Sequence, residues 1–158
     1  MSDVLIIGYG NPLRQDDAVG WLAGQRLSLT FDNDPSVTVI CCHQLTPELA
    51  ALIAETALVL LLDAAIDGTP GEVGITTVTA DDRITPDATH HISPSSLLAL
   101  TEQLYHKTPA AVLLSVTGHR FDLGEEISEE AQRGIGLLVE RATSIVAAFQ
   151  RGESLQTD

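Results

Sequence analysis

Residues 58–63 read Leu-Val-Leu-Leu-Leu-Asp, an apolar run with no polar side until the aspartate ends it. Successive side chains of a strand point to opposite faces, so such a run stays dry only if both faces are covered. Two more stretches share the pattern, "DVLIIG" over 3–8 and "AAVLLSVTG" over 110–118. A sheet sandwiched between helices satisfies all three at once. "SVTVICC" (36–42) and "EVGITTVT" (72–79) add two β-branched runs, which makes five expected strands. Helical segments fit between them. One is expected from about Asp17 to Leu29, and a second from Thr46-Pro47-Glu48, with a cap, a proline at the first helical position and an acid in the first turn. A third opens at Ser93-Pro94, and a long fourth opens at Ser128-Glu129-Glu130.

Alternating strands and helices predict a three-layer α/β/α sandwich with a five-stranded, mostly parallel, twisted sheet. One connection breaks the alternation. Eight residues, "AAIDGTPG", join the third and fourth runs, too few for a crossover between parallel strands. Strand 72–79 is therefore expected antiparallel. The 13 residues from Ala80 to Ile92 then carry the chain back and bring "THHISP" to the carboxyl edge of the sheet, where open α/β sheets bind ligands. Residues 1–151 read as a single domain and 152–158 as a frayed tail.

Charge and cysteine usage narrow the partners. A net charge of −14 repels nucleic acid and anionic membrane, so neither is an expected partner. The adjacent Cys41 and Cys42 have the spacing of neither a zinc knuckle nor a redox pair, and read as buried strand thiols. No apolar run approaches the roughly 18 residues of a membrane span, and no secretory signal is evident. A cytoplasmic protein is expected.

The first loop, "GYGNPLRQDDAVG" from Gly8 to Gly20, suggests a phosphate cradle and then fails as one. Leu13 stands where the third glycine of a dinucleotide fingerprint belongs, and there is no Walker lysine. What the loop offers is Asn11, Pro12 and the acids Asp16 and Asp17. If the strand order begins 2-1-3, this loop and Asp63 flank the switch point of the sheet, and "THH" (89–91) arrives there too. Two carboxylates and an imidazole make an incomplete shell that suits a borderline divalent ion such as nickel or zinc. Each residue also has a plainer reading. One of Asp16 and Asp17 is expected to cap the first helix or shape the loop, with Asp17 the one facing the site. Asp63 is also ordinary strand-end chemistry, and Asn11 either makes a tight turn or orients a substrate carbonyl. Neighbouring residues of an extended segment face opposite ways, so one of His90 and His91 faces the site. No Ser-His-Asp or Cys-His arrangement and no G-x-S-x-G elbow competes with this reading.

In order along the chain, "GYGNPLRQDDAVG", "LLLDAAIDGTPGEV", "THHISPSSLLAL" and "GHRFDLGEEIS" resemble the nickel–iron hydrogenase maturation endopeptidases. The first matches that family's G-x-G-N-x-L-x-x-D-(D or E)-(G or A)-x-G signature, and the likeness runs from Val4 to about Ala148. It implies an enzyme that removes a C-terminal peptide from the hydrogenase large-subunit precursor once nickel is inserted, and a grouping with aspartyl-type peptidases. Asp17, Asp63 and His90 match the family's metal-contacting, catalytic positions. The nickel is expected to arrive with the substrate, with no organic cofactor. Asn11, Asp16, His91 and His119 are expected to contact substrate. Departures are Ala18 after the acid pair, His43-Gln44-Leu45 in place of a Gly-Gly-Thr-like loop, and Ser95 where some members carry the histidine. A nickel-binding chaperone or sensor without hydrolytic activity uses the same residues.

Overall fold

The computed structural model describes residues 3–81 and 92–155. Strands β1 (Val4–Tyr9), β2 (Val37–Cys42), β3 (Leu58–Ala65), β4 (Val73–Thr77) and β5 (Ala110–Thr117) alternate with helices α1 (Val19–Thr30), α2 (Leu49–Ala54), α3 (Pro94–Tyr105) and α4 (Glu129–Gln150). The sheet order is β2-β1-β3-β5-β4. The pairs β2–β1, β1–β3 and β3–β5 are parallel, while β4 lies antiparallel to β5. The expected three layers are present, and so is the reversed strand that the eight-residue connection demands.

The pleat sorts the core into two layers. Val4, Ile6, Leu58, Leu60 and Leu62 face one side and pack with Val19, Ala23 and Leu27 of α1 and Ile135, Leu138, Ala142 and Val146 of α4. Leu5, Ile7, Tyr9, Val59 and Leu61 face the other and pack with Leu49 and Ile53 of α2 and Leu97 and Leu98 of α3. The central strands are buried on both faces, which is why their sequences show no alternation.

Helix starts divide into capped and uncapped ones. Ser93 Oγ accepts from the Ser96 amide at 3.1 Å ahead of Pro94, and Ser128 Oγ accepts from Ala131 at 3.2 Å, both as expected. Helix α2 begins later than the Thr46-Pro47-Glu48 signature predicts, at Leu49, because those three residues form the turn that leads in. Helix α1 departs further. Gln15–Ala18 form a 3-10 turn, and the α-helix starts only at Val19, with Ala18 at its cap. Neither Asp16 nor Asp17 caps it, since both carboxylates are engaged elsewhere.

Strand β3 outlasts β1. Their pairing stops at Gly8–Leu62, whereas β3 and β5 stay paired to Ala65–Thr117. Asp63 ends the apolar run but not the strand. It sits where β1 has left and β5 continues, opposite Ser115. Among the described residues no helix is long and apolar enough to cross a membrane. Cys41 and Cys42 are free and half-buried, somewhat wetter than buried strand thiols would be.

Candidate active site

The site is assembled from the ends of β1 and β3 and the loop that enters α1. Two glycines allow the close fit. Gly10 has φ +148°, and a side chain there would run into the Asp17 carbonyl, so the loop's exit folds directly over its entrance. A Cβ on Gly20 would fall 2.5 Å from the Tyr9 carbonyl oxygen and 2.8 Å from the Leu62 carbonyl carbon. The start of α1 therefore rests on the backbone just before Asp63, and this brings Asp17, three residues upstream, over the mouth of β3.

Within the loop, Asn11 Oδ1 accepts from the Leu13 amide at 2.9 Å, a side-chain-closed turn. The Asn11 amide in turn donates to Asp17 Oδ2 at 2.8 Å, so Asp17 is oriented by the residue that opens the loop. Gln15 lies in the left-handed region at φ +48°. That strained conformation persists because both its ends are tied: its amide donates to Gly124 at 2.8 Å and its Oε1 accepts from Asp122 at 3.1 Å.

Asp16 and Asp17 face different worlds. Asp16 is 0% exposed and accepts four hydrogen bonds from the β5–α4 connection. Its Oδ2 takes the His119 amide (2.7 Å), the Arg120 amide (3.1 Å) and the Ser128 hydroxyl (2.6 Å), and its Oδ1 takes the Ser128 amide (2.9 Å). Burial alone would raise its pKa. The Ser128 hydroxyl and the three amides outweigh burial and hold it below the usual carboxylate value. A carboxylate with no exposed surface does not touch a substrate, so the expected substrate contact at Asp16 gives way to the loop-shaping role. Its main-chain amide donates to Arg120 as well, at 2.9 Å, and Gly124 donates to Leu13 at 2.8 Å. The two loops are one stitched unit.

Asp63 shows the opposite balance. Its Oδ1 accepts from the Ala64 amide at 2.7 Å. Burial outweighs the stabilising influence of that amide and of the neighbouring Tyr9 phenol and, with the nearby negative charge of Asp17, pushes its pKa up to about 6. Tyr9 responds in kind: burial first, then the Asp63 charge, drive its phenol well above its ordinary value. An acid that titrates near neutrality beside a second carboxylate can exchange a proton at working pH, the requirement for general acid–base chemistry.

Of the residues expected at the site, Asp17 and Asp63 are brought together, and Asn11 lines the same loop. His119 is exposed at the rim, with Nδ1 3.7 Å from Glu130 Oε2. His90 and His91 lie outside the described residues. Among the described residues no group of three His, Cys, Asp or Glu side chains is placed to hold a metal ion. Two participants escape the sequence reading. Ser128 reads only as a helix cap, though it also anchors Asp16. Tyr9 reads as a strand aromatic, and its nearness to Asp63 emerges only from the fold.

Fold and site together define a doubly wound α/β protein with a carboxylate pair at its switch point. Neither a protein-family model nor a curated protein matches the sequence. Solved structures do. The NiFe hydrogenase maturation protease HycI from Thermococcus kodakarensis KOD1 superposes with a TM-score of 0.74 at 25% identity, over 92% of this chain and 93% of that one. The hydrogenase 2 maturation peptidase from Thaumarchaeota archaeon SCGC_AB-539-E09 gives 0.71 at 20% identity, over 92% and 99%. The hydrogenase maturating endopeptidase HybD from E. coli gives 0.70 at 20% identity, over 98% and 97%. The chain is similar in fold, over nearly its whole length, to NiFe hydrogenase maturation proteases of known structure.

Proposed function

We propose that this protein is an endopeptidase that removes the C-terminal extension of a nickel–iron hydrogenase large-subunit precursor after nickel insertion, and that it recognises the nickel the precursor carries. The observation that carries the proposal is Asp63, an acid raised to about 6 next to Asp17 at the carboxyl edge of the sheet. Asp17 and Asp63 supply oxygen donors, and His90 is the imidazole that completes the incomplete shell suited to nickel. Nickel held by the precursor would dock against these side chains and place the scissile bond beside them. Water then adds to the peptide carbonyl and loses a proton to a carboxylate, and the departing amine gains one as the C–N bond breaks. Either a carboxylate acting alone or one acting with metal-polarised water fits this scheme, and the first is the sense of the aspartyl grouping. Asn11, on the same loop, and His119 and His91 are the proposed substrate contacts.

The test is to incubate the protein with nickel-loaded and nickel-free precursor and record intact masses. Loaded precursor is expected to lose its C-terminal peptide at a single position, and nickel-free precursor to stay whole. Cleavage of the nickel-free form in chelator would overturn nickel recognition. Binding of the loaded precursor without any loss of mass would replace the hydrolase with the nickel-binding chaperone or sensor.

A further inference from the structure

Two leucines from distant parts of the chain are held together, exposed, beside the loop that carries Asp17. Leu13 is 55% exposed and Leu123 89%. They belong to the loops that lead into α1 and α4, and a parallel bridge joins those loops at Arg14 and Gly124. The Gly124 amide donates to the Leu13 carbonyl at 2.8 Å, and the Gln15 amide donates to the Gly124 carbonyl at 2.8 Å. Side chains brace the same bridge. Arg14 Nη2 donates to the Phe121 carbonyl at 3.1 Å, and Gln15 Oε1 accepts from the Asp122 amide at 3.1 Å. Leu13 is tied on its other side as well: its amide donates to Asn11 Oδ1 at 2.9 Å, and the Asn11 amide donates to Asp17 Oδ2 at 2.8 Å. Exposed leucines are ordinary when scattered. Here two share one braced ridge, joined to Asp17 through a single residue, and neither belongs to either core layer.

We propose that Leu13 and Leu123 form an apolar ridge that docks the precursor segment flanking the scissile bond, an extended stretch bearing apolar side chains. The inference rests on the endopeptidase reading above and names what that site grips besides metal. Leu13 stands four residues from Asp17, so at most roughly 14 Å of chain lies between them. An extended peptide covers that distance in about four residues. A segment with its bond beside Asp17 therefore has neighbouring residues within reach of the ridge, which is continuous with the site. Charge selects an apolar occupant over an acidic one. Asp122, Glu125 and Glu126 stand exposed around Leu123, and the chain carries a net charge of −14, so an acidic segment is repelled. The backbone of the ridge is fixed before anything binds. Docking then has few loose groups to order, and the apolar area it covers appears as affinity.

The experiment measures kcat and KM on nickel-loaded precursor for wild type, Leu13→Ser, Leu123→Ser, Leu123→Met and Leu29→Ser, with melting and sedimentation followed in parallel. Losing a contact made equally in the ground and transition states raises KM and spares kcat. Leu13→Ser and Leu123→Ser are each expected to raise KM roughly 5–50-fold with kcat within about twofold. Both should melt within about two degrees of wild type, because surface substitutions change stability little. Leu123→Met keeps the apolar area and should stay within about threefold of the wild-type KM. Leu29 is 80% exposed in the last turn of α1, the end away from the acid pair, and Leu29→Ser should change neither constant. Serine in place of apolar precursor residues within about four positions of the cleaved bond should raise the wild-type KM, yet add little to that of Leu123→Ser. An unchanged KM in both serine variants of the ridge overturns the inference while wild-type cleavage still supports the function. A loss confined to kcat does the same, since it marks a loop that only positions Asp17. A wild-type dimer that these variants dissolve at unchanged KM assigns the ridge to a second copy of the chain and likewise overturns the inference. A wild type that does not cleave overturns the function, and the inference falls with it.

Discussion

Asp16 and Asp63 are two inward-held carboxylates near the same edge of the sheet, treated in opposite ways. Asp16 is surrounded by four donors, and its pKa falls below the usual value. Asp63 has a backbone amide, a phenol and a like-charged neighbour, and its pKa rises to about 6. Burial opposes ionisation at both sites; the number of donors decides the outcome. A fully satisfied carboxylate is a fastener. An under-satisfied one is destabilising in the ionised state and chemically useful for the same reason, so the pair separates the part of the loop that holds from the part that acts.

The contrast breaks most visibly at the neighbouring acid. Asp17→Ala is expected to reduce precursor cleavage by three orders of magnitude or more, on the order of 4 kcal/mol in transition-state stabilisation. Its melting temperature should stay within a few degrees of wild type, because the loss is one partly exposed hydrogen bond. Cleavage assays beside thermal melts decide this, and near-normal turnover would remove Asp17 from the site.

Asp16→Ala is expected to behave conversely. It leaves four donors facing a void, a loss of roughly 3–5 kcal/mol, well above the roughly 1 kcal/mol of a missing helix cap. Chemical denaturation measures it, and a change under 1 kcal/mol would show that the stitching is dispensable. The pKa sign adds a second check. Asp16 is depressed in the fold, so its stabilisation is present above the ordinary carboxylate value and is lost as pH falls through the lower folded value. The Asp16→Ala protein should therefore show a shallower loss of stability on acidification.

Asp63→Asn sharpens the comparison in the other direction. Between the ordinary carboxylate value of 3.8 and about 6, the folded chain keeps a proton that the unfolded chain has released. Stability therefore falls as pH rises through that window. Removing the charge should stabilise the protein by roughly 1–3 kcal/mol above pH 7, with no gain below about pH 4, while processing is lost. In the wild type, cleavage should decline as pH drops through about 6, as Asp63 takes up its proton. A protein with Asp63→Asn that melts earlier than wild type at pH 7 would contradict this.

The smallest effect is expected at the rim. His119→Ala removes an exposed pairing with Glu130 and should change stability by less than about 0.5 kcal/mol. A few-fold rise in KM for the precursor would place the imidazole in contact with substrate, and an unchanged KM would remove it from that role.

The architecture was legible because the central strands are aliphatic on both faces and the third connection is too short for a crossover. Strand lengths were less so. β3 runs two residues past Asp63 because β5 continues to pair with it, and a pairing partner's length is not written in the strand's own residues. At the site, Asp17 and Asp63 were legible as acids at strand mouths. The split between Asp16 and Asp17 was only half legible, since the four donors that settle it come from 103 to 112 residues further along the chain. Tyr9 was hidden by its ordinariness: an aromatic after "VLIIG" reads as core until the fold shows what stands near it.

The span between Asp16 and Ser128 also orders events in time. Closing a connection of 112 residues has a large entropic cost that only the nearly complete fold offsets. During synthesis the N-terminal part of a domain emerges first, so β1 and its acidic loop exist long before His119, Arg120 and Ser128 do. Until those residues arrive, the strained Gln15 turn lacks its ties to Asp122 and Gly124, and Asp17 has only the local Asn11 amide to orient it. A nascent chain therefore carries the acidic loop in a slack state, and the site is set by the arrival of the residues from His119 onward.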